Sequence, residues 1–231
     1  MRGRKTLNRA ARRLLRLCGR QKQGVQHVPS GLQFCNSVDY WDSRYRLGGT
    51  SGDGSYGHLA EFKASFLNSW VCSEGLDSVI EFGCGDGNQL SLCNYKRYIG
   101  LDVSPSAIKK CKARFAGDSS KSFFLYDSRC FVDCTGLFKA DLTLSMDVIY
   151  HLVEDEIFSL YMDHLFAAAE QYVIIYSSDV DSSAGCEPHV RHRAFSKHVE
   201  HKIKGWIELK RLKNRYPQES CAEFVVFARK E

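Results

Sequence analysis

A short apolar run followed at once by three alternating glycines constrains the fold of this chain most. The run, SVIEF at residues 78–82, is rich in β-branched and aromatic side chains and predicts a buried strand. Gly83, Gly85 and Gly87 follow it, and glycine permits the positive φ angles and the close ligand contact of a tight turn. We expect a helix to begin at Asn88. A strand, a glycine-rich turn and a helix N-terminus together form a cradle for a nucleotide-like ligand.

The spacing and the charge of this turn select among nucleotide-like ligands. A dinucleotide-binding turn has its third glycine three residues after the second, where this chain has Asn88. Glu81 and Asp86 flank the turn, and their carboxylates repel a pyrophosphate and attract an ammonium group. S-adenosylmethionine fits such a turn, because it is a nucleoside with a sulfonium and an ammonium group and no phosphate. A glycine-rich turn that binds no ligand is the alternative at this point.

Strand and helix patterns alternate along the rest of the chain. Repeated β-α units predict an α/β fold with a doubly wound, mostly parallel sheet, and two final strands around Asn214–Gln218 predict an antiparallel hairpin at its edge. The predicted strands span residues 78–82, 97–101, 121–126, 141–146, 171–176, 204–213 and 221–228, and the predicted helices span residues 59–70, 88–95, 105–115, 154–169 and 193–200.

Charge is distributed unevenly along the chain, which predicts a basic N-terminal segment and a mildly acidic folded domain. Residues 1–30 contain nine Lys and Arg residues and no acidic residue, whereas residues 31–231 hold more Asp and Glu than Lys and Arg. We expect residues 31–231 to fold as one domain, whose mild acidity argues against nucleic-acid binding by that domain. In residues 1–30, apolar side chains at helical spacing predict an organelle-targeting or membrane-surface helix, and a solvated basic extension is the alternative.

Cysteine usage and hydropathy bear on the compartment. Ten cysteines without any C-x-x-C pair predict reduced thiols that mostly act as small core residues, not as zinc ligands. No apolar run approaches the ~20 residues that span a bilayer. We therefore expect a cytoplasmic protein, or an organellar one if residues 1–30 act as a targeting segment.

Aromatic residues surround a small-residue loop ahead of the glycine turn. The loop, GGTSGDGS at residues 48–55, is flanked by Tyr40, Trp41 and Tyr45 on one side and by Tyr56 on the other. These aromatics predict a lid over the cofactor, and aromatics that only cap the sheet are the alternative.

Acidic residues stand at the carboxyl ends of the predicted strands, the edge at which doubly wound sheets bind ligands. Asp102 follows the second strand, about 20 residues after the glycine turn, where a carboxylate accepts hydrogen bonds from both ribose hydroxyls. The alternative is that Asp102 only begins the next helix, for which Ser104 is the predicted N-cap.

Two motifs carry a resemblance to a known superfamily. EFGCGDG at residues 81–87 and GLDVS at residues 100–104 are similar to the first two motifs of class I S-adenosylmethionine-dependent methyltransferases, and the likeness extends from about residue 38 to residue 228. It implies the seven-stranded Rossmann-like sheet of that superfamily and S-adenosylmethionine as the cofactor. Tyr-Trp-Asp before the Gly/Ser loop and DVIYHL at residues 147–152 look like small bacterial and viral methyltransferases associated with sugar or polysaccharide modification.

The resemblance also implies roles for individual residues. The glycine turn faces the methionine part of the cofactor, the second motif binds the ribose, and the residues after the third strand lie near the adenine. The residues expected to bind the cofactor are Tyr40, Trp41, Glu81, Gly83, Cys84, Gly85, Gly87, Asp102, Val103, Ser104, Asp127, Ser128, Met146 and Asp147.

The fourth motif bears on the methyl acceptor. Enzymes that methylate amino groups of adenine, cytosine or glutamine commonly carry [DNS]-P-P-[YFW] there, whereas this chain has Asp147 followed by VIY. That difference favours a hydroxyl acceptor, which needs a base. His151, His189 and His192 are the candidate bases, with structural roles as the alternative, and Asp147 is expected to orient the acceptor or the cofactor amine. The two arginines within residues 189–193 are expected to bind acidic groups of an acceptor.

The sequence therefore predicts O-methylation of a small-molecule or glycan hydroxyl, with S-adenosylmethionine and without a metal ion. Two alternatives are a protein or RNA methyltransferase that is recruited through residues 1–30, and a non-catalytic module that binds S-adenosylmethionine.

Overall fold

A computed structural model of the chain describes residues 33–182 and 185–230. The predicted basic extension at residues 1–30 lies outside these described residues. The strands are β1 Ser78–Phe82, β2 Arg97–Asp102, β3 Lys121–Leu125, β4 Ala140–Met146, β5 Ala169–Ser177, β6 Trp206–Lys213 and β7 Glu223–Arg229. The helices are α1 Ser37–Arg46, α2 Gly57–Ser73, α3 Pro105–Arg114, α4 Asp155–Ala168 and α5 Phe195–Lys202.

All seven strands belong to one sheet, in the order β3-β2-β1-β4-β5-β7-β6. Strands β1 to β5 pair in parallel, and β7 lies antiparallel between β5 and β6. The predicted α/β, doubly wound sheet with an antiparallel C-terminal hairpin is confirmed. The strand order reverses between β1 and β4, and a doubly wound sheet binds its ligand in the crevice at such a point.

A hydrophobic core covers each face of the sheet. Helices α2 and α3 bury Leu67 and Ile108 against one face, and α4 and α5 bury Leu165 and Phe195 against the other. Each helix therefore presents an apolar stripe at helical spacing to the sheet, as its sequence pattern predicts. None of the helices in the described part of the chain is long and apolar enough to cross a membrane. Seven cysteines in this part are free thiols: Cys35, Cys72, Cys84, Cys93, Cys111, Cys130 and Cys134.

The helix predicted at residues 88–95 is wrong. Only a single 3₁₀ turn, Leu90–Leu92, forms there. The Cys93 amide donates to the Leu90 carbonyl at 2.9 Å, and the Asn94 amide donates to Oδ1 of Asn68 on α2 at 2.8 Å. Because Asn94 takes its partner from a neighbouring helix, the bond that would continue an α-helix is not made.

Helix α1 begins where the sequence patterns assigned no element. Its N-cap is Asn36, whose side chain accepts a hydrogen bond from the Asp39 amide at 2.8 Å. The helix contacts α3 and holds the predicted lid aromatics Tyr40, Trp41 and Tyr45. A short aromatic helix thus lies directly before the small-residue loop.

Candidate active site

A cavity opens at the carboxyl ends of the parallel strands, next to the reversal of strand order. Residues that follow β1, β2, β3 and β4 line it on one side, and residues of α1 and the 48–55 loop line it on the other. Of the predicted site residues, those that line the cavity are Trp41, Glu81, Gly83, Cys84, Gly85, Asp102, Val103, Ser128, Met146, Asp147 and His151. Those that do not are Tyr40, Gly87, Ser104, Asp127, His189 and His192.

The glycine turn needs glycine for two separate reasons at Gly83 and Gly85. Their φ angles are 85° and 58°, in the left-handed region that favours glycine. A methyl group on Gly83 would lie 2.4 Å from a methyl carbon of Val148, and one on Gly85 would lie 2.3 Å from Oγ of Ser51. The turn is therefore closed from above by side chains that leave no room for a Cβ.

Gly87 does not line the cavity and packs against neighbouring side chains, so its contact with the cofactor stays a prediction. A Cβ on Gly87 would lie 2.8 Å from the ring of Phe115 and 3.0 Å from Sγ of Cys111, at α3. The third glycine thus lets the turn approach α3 closely, and it points away from the cavity.

Asp102 presents its carboxylate to the cavity from the end of β2. The side chain is buried and accepts two backbone hydrogen bonds, from the Gly85 amide to Oδ2 and from the Ser104 amide to Oδ1, both at 2.9 Å. Burial raises the pKa of Asp102 to about 6, although both amides lower it. Ser104 caps α3 instead of lining the cavity, because its hydroxyl accepts from the Ala107 amide and donates to Asp42.

Glu81 is a second buried carboxyl group in the cavity wall. Its Oε2 accepts a hydrogen bond from the Tyr98 hydroxyl at 2.6 Å. Burial raises the pKa of Glu81 to about 7, and the Tyr98 hydrogen bond and the Lys63 ammonium group lower it. The group is therefore partly protonated near neutral pH in the absence of a ligand.

Asp86, in contrast, is used to fasten the small-residue loop. Its Oδ2 accepts from the Ser51 amide at 3.1 Å and from the Tyr56 hydroxyl at 2.7 Å, and its own amide donates to Oγ of Ser51 at 3.0 Å. The loop is thereby held over the glycine turn.

Helix α1 forms a roof over the cavity and is fastened at two places. At one end, the Ser37 hydroxyl donates to Oε2 of Glu154 at 2.6 Å. In its middle, Oδ1 of Asp42 accepts from the Ser104 hydroxyl at 2.7 Å. Trp41 faces the cavity between these two fastenings.

Tyr40, on the next position of α1, faces away from the cavity. It is buried and stacks on the ring of His189, with centroids 4.4 Å apart. Tyr40 therefore packs outside the cavity, since residues adjacent on a helix point in different directions, and its contact with the cofactor stays a prediction.

The residues after β3 divide between cavity and solvent. Tyr126 and Ser128 line the cavity and are buried, whereas Asp127 between them is exposed and accepts a hydrogen bond from the Arg129 amide at 3.0 Å. Alternate residues of an extended segment point to opposite sides. Ser128 thus lies at the cavity and Asp127 at the surface, and the adenine contact of both stays a prediction.

His151 is the histidine that reaches the cavity. Its Nδ1 lies 3.0 Å from the backbone carbonyl oxygen of His189, and its ring lies edge-on to Trp41 at 4.7 Å. A carbonyl can only accept, so Nδ1 carries the hydrogen and Nε2 keeps a lone pair. Burial lowers the pKa of His151 to about 3, so the ring is neutral at physiological pH.

His189 and His192 lie outside the cavity, and their role as bases stays a prediction. His189 stacks on Tyr40, and Nδ1 of His192 lies 2.5 Å from the Ser178 hydroxyl in the protein interior. The nearby Arg193 donates to the carbonyl oxygen of Leu152 and to Oδ1 of Asp155.

Arg191 is likewise engaged within the protein, with the Val153 carbonyl and the Asp155 carboxylate both at 3.0 Å. Both arginines thus have partners within the protein, and their binding of acidic acceptor groups stays a prediction. Their hydrogen bonds hold the segment that follows β4 against the segment that follows β5.

Asp147 is the most constrained residue of the cavity wall. Its φ of 59° lies in the left-handed region, which is unusual for a residue other than glycine. Its Oδ1 accepts from the Tyr150 hydroxyl at 2.9 Å, and its Oδ2 accepts from Nζ of Lys63 at 2.5 Å.

Two further polar residues of the site were missed by the sequence patterns. Lys63 stands among apolar residues on the buried face of α2, and such an interruption is the signal that would have found it. Gln89 lines the cavity and is buried; its Nε2 donates to the Ala60 carbonyl at 3.1 Å. Its Oε1 has no hydrogen-bond partner among the described residues, so an acceptor is left for a ligand.

Three side chains among the described residues of the cavity wall carry a carboxyl group, and His151 carries an imidazole. Glu81, Asp102 and Asp147 line it together, and no Lys or Arg is among the described lining residues. In the described residues, no group of three His, Cys, Asp or Glu side chains is arranged to hold a metal ion. A cavity with three carboxyl groups suits a positively charged ligand.

Comparison with known proteins adds a family and a set of solved structures. The model of a family described as a methyltransferase domain matches residues 80–170, which run from β1 through β4 and α4 into β5. None of the curated proteins matches this chain.

Three solved methyltransferase structures show the fold. The N-methyltransferase NodS from Bradyrhizobium japonicum WM9, in complex with S-adenosyl-L-homocysteine, is 18% identical with a TM-score of 0.63, covering 85% of this chain and 100% of that one. Magnesium protoporphyrin IX methyltransferase from Synechocystis PCC 6803, also with S-adenosylhomocysteine, is 16% identical with a TM-score of 0.62, covering 84% and 98%. The methyltransferase domain of bacterial CtHen1 is 20% identical with a TM-score of 0.61, covering 75% and 100%. At these identities the likeness concerns the fold.

Proposed function

We propose that this chain, which is a class I S-adenosylmethionine-dependent methyltransferase, transfers the methyl group to a hydroxyl oxygen of a small, neutral acceptor or a glycan. The observation that carries the proposal is the neutral His151 in the cavity wall, with its tautomer set by the His189 carbonyl. The position of this histidine gives a departing hydroxyl proton an acceptor inside the cavity.

The residues present fit the cofactor. The cavity supplies three carboxyl groups for a ligand with sulfonium and ammonium charges, and Oε1 of Gln89 is a buried acceptor in need of a donor. Asp102 keeps lone pairs for ribose hydroxyls after its two backbone hydrogen bonds. When bound, S-adenosylmethionine supplies a methyl group on a positively charged sulfur.

The base needs little basicity in this reaction. A hydroxyl oxygen that gains a methyl group becomes far more acidic, so even a histidine of low pKa can take its proton at Nε2. The low pKa of His151, about 3, keeps that lone pair free throughout the physiological range. Positioning of the acceptor against the methyl group then provides most of the rate.

The charge of the lining limits the acceptor. The carboxyl groups of the lining repel a phosphate or carboxylate group, because no Lys or Arg lines the cavity in the described part of the chain. Trp41, Leu152 and Ile157 supply apolar and aromatic surface, on which a ring or the apolar face of a sugar can lie. These features support a neutral hydroxyl acceptor.

The test is label transfer from methyl-labelled S-adenosylmethionine to separated pools of small molecules, glycans, proteins and RNA. We expect label in a small-molecule or glycan product that survives mild alkali, as a methyl ether does and a methyl ester does not. Label recovered as a methylated amine, or only in protein or RNA, would contradict the hydroxyl proposal. Transfer to RNA that requires residues 1–30 and falls steeply with salt would favour the nucleic-acid alternative.

The His151→Gln variant tests the base. We expect turnover to fall by about 10²-fold or more while the affinity for S-adenosylmethionine changes little, because proton transfer is lost and the cofactor contacts remain. His58→Gln is the matched control, since His58 is exposed and pairs with Glu219 at the surface. Equal turnover of both variants would remove His151 from the mechanism.

A further inference from the structure

One charged residue lies on the buried face of α2. The other buried residues of that helix are apolar, whereas the side chain of Lys63 is 0% exposed. A lysine ordinarily extends its flexible stem until the ammonium group reaches water, and burial of that charge is costly without a partner. The position therefore asks for an explanation.

The ammonium group is directed at the end of β4 that faces the cavity. Nζ of Lys63 donates to Oδ2 of Asp147 at 2.5 Å and lies 5.2 Å from the centre of the Tyr176 ring. The Tyr150 hydroxyl holds Oδ1 at 2.9 Å. The two carboxylate oxygens are thus fixed from α2 and from the turn after β4.

The small-residue loop at residues 48–55 packs against the same carboxylate. A methyl group on Gly54, in the 48–55 loop, would lie 2.8 Å from Oδ2 of Asp147. The backbone of Asp147 is held in the left-handed region, a conformation that persists only where surrounding contacts impose it. Lys63, the loop and the cavity wall therefore converge on one side chain.

Fold stability alone gives no reason for this ion pair. Replacement of a buried ion pair by apolar residues of similar volume is often neutral or stabilising. A methionine at position 63, among Leu59 and Leu67 on the same face, would fill the space without a buried charge. The acidic cavity supplies the reason, because Glu81 and Asp147 both line it and Lys63 acts electrostatically on both.

We propose that Lys63 is a positioning residue of the methyl-transfer site, which holds the Asp147 carboxylate toward the cofactor and favours the negative charge of Glu81. The inference depends on S-adenosylmethionine as the cofactor and is independent of the acceptor. Lys63 itself does not line the cavity and acts through its two acidic neighbours.

The effect on Glu81 gives the proposal a signature in pH. The groups that interact electrostatically with Glu81 come from several elements: Tyr98 and Asp102 on β2, Lys63 on α2, Cys84 in the glycine turn, Cys93 and Tyr95 between β1 and β2, and Tyr161 on α4. Among them Lys63 is the cation, and it lowers the pKa of Glu81. Without it, Glu81 stays protonated to higher pH, and a protonated carboxyl group no longer attracts the cofactor charge.

The experiment measures the dissociation constant of S-adenosylmethionine by calorimetry between about pH 6 and about pH 8.5. For Lys63→Met we expect the affinity at about pH 7 to fall by about tenfold. We also expect the acid limb, the pH range in which affinity is lost as the pH falls, to move up by about one pH unit. Lys96→Met is the matched control: Lys96 also pairs with an aspartate at 2.5 Å, but both side chains are exposed. The control should keep the wild-type affinity and acid limb.

The double variant Lys63→Met with Asp147→Asn separates positioning from folding. Removal of both charges avoids an unpaired buried carboxylate, so we expect near wild-type thermal stability together with weak cofactor binding. The proposal is overturned if this variant binds S-adenosylmethionine with wild-type affinity, or if the acid limb of Lys63→Met stays in place. A wild-type protein that fails to bind S-adenosylmethionine would instead refute the cofactor itself.

Discussion

Cofactor binding should release protons at mildly acidic pH. The pKa values of Glu81 and Asp102 are about 7 and about 6 in the free protein, because burial disfavours their charged forms. At about pH 6.5, Glu81 then carries about 0.8 proton and Asp102 about 0.2 proton. A ligand with sulfonium and ammonium charges favours both carboxylates, so its binding should expel about one proton in total.

Calorimetry in several buffers measures this release directly. At about pH 6.5, the observed binding enthalpy of S-adenosylmethionine is plotted against the ionisation enthalpy of the buffer, and the slope gives the number of protons exchanged. We expect a slope that corresponds to release of about one proton for the wild type. For Glu81→Gln we expect about 0.2, since only Asp102 remains to lose a proton.

Two results would refute this reasoning. A wild-type slope near zero would mean that the buried carboxyl groups do not meet the cofactor charges. An unchanged slope in Glu81→Gln would mean that the proton comes from another group. Asp102→Asn is the reciprocal control, and it should retain about 0.8 proton because Glu81 is intact.

Other expected outcomes concern stability and affinity. Glu81→Gln should raise the free energy of unfolding of the ligand-free protein at about pH 8 by up to about 3 kcal/mol, as measured by chemical denaturation. The reason is that the pKa of Glu81 is higher in the folded than in the unfolded protein, so its ionisation lowers stability as the pH rises from 4.5 to about 7. Gly83→Ala should lower that free energy by about 3 kcal/mol, and added Val148→Ala should recover the steric half. Asp102→Ala should weaken S-adenosylhomocysteine binding about 10-fold to 100-fold by calorimetry, with an unchanged circular dichroism spectrum.

The sequence located the site well where strand topology determines position. β1 spans Ser78–Phe82 as predicted, and Asp102 and Asp147 follow parallel strands that must end at one edge. Because that edge is shared, residues far apart in sequence meet in the cavity. The glycine turn and the acidic strand ends were therefore predictable without coordinates.

The sequence was less informative about the direction in which a side chain points than about where in the fold the residue lies. Asp127 and Ser128 are neighbours after β3, yet only Ser128 faces the cavity. His151 and His189 follow strands at the same edge, yet only the ring of His151 enters the wall. The ring of His151 packs against Trp41 of α1, a helix that periodicity did not show.

Lys63 shows a different limit. On an amphipathic helix a lysine is expected at the solvent-facing edge, so its place in the apolar stripe looked like a break in the pattern. Only the approach of Asp147 from another element, 84 positions later in the chain, gives the charge a partner. An ion pair between residues so far apart in the sequence has no characteristic spacing that would predict it.

The hydrogen bonds between α1 and α3 connect the docking of α1 over the cavity with the binding of the cofactor in it. Asp42 accepts from Ser104, and the Ser104 amide in turn donates to Asp102. Where docking of α1 strengthens nucleoside binding at Asp102, thermodynamic reciprocity requires that nucleoside binding strengthens the docking of α1 by the same factor. A nucleoside bound to Asp102 should thus slow the undocking of α1 from the domain. The docked helix that shields the sulfur from water should likewise slow the release of S-adenosylhomocysteine.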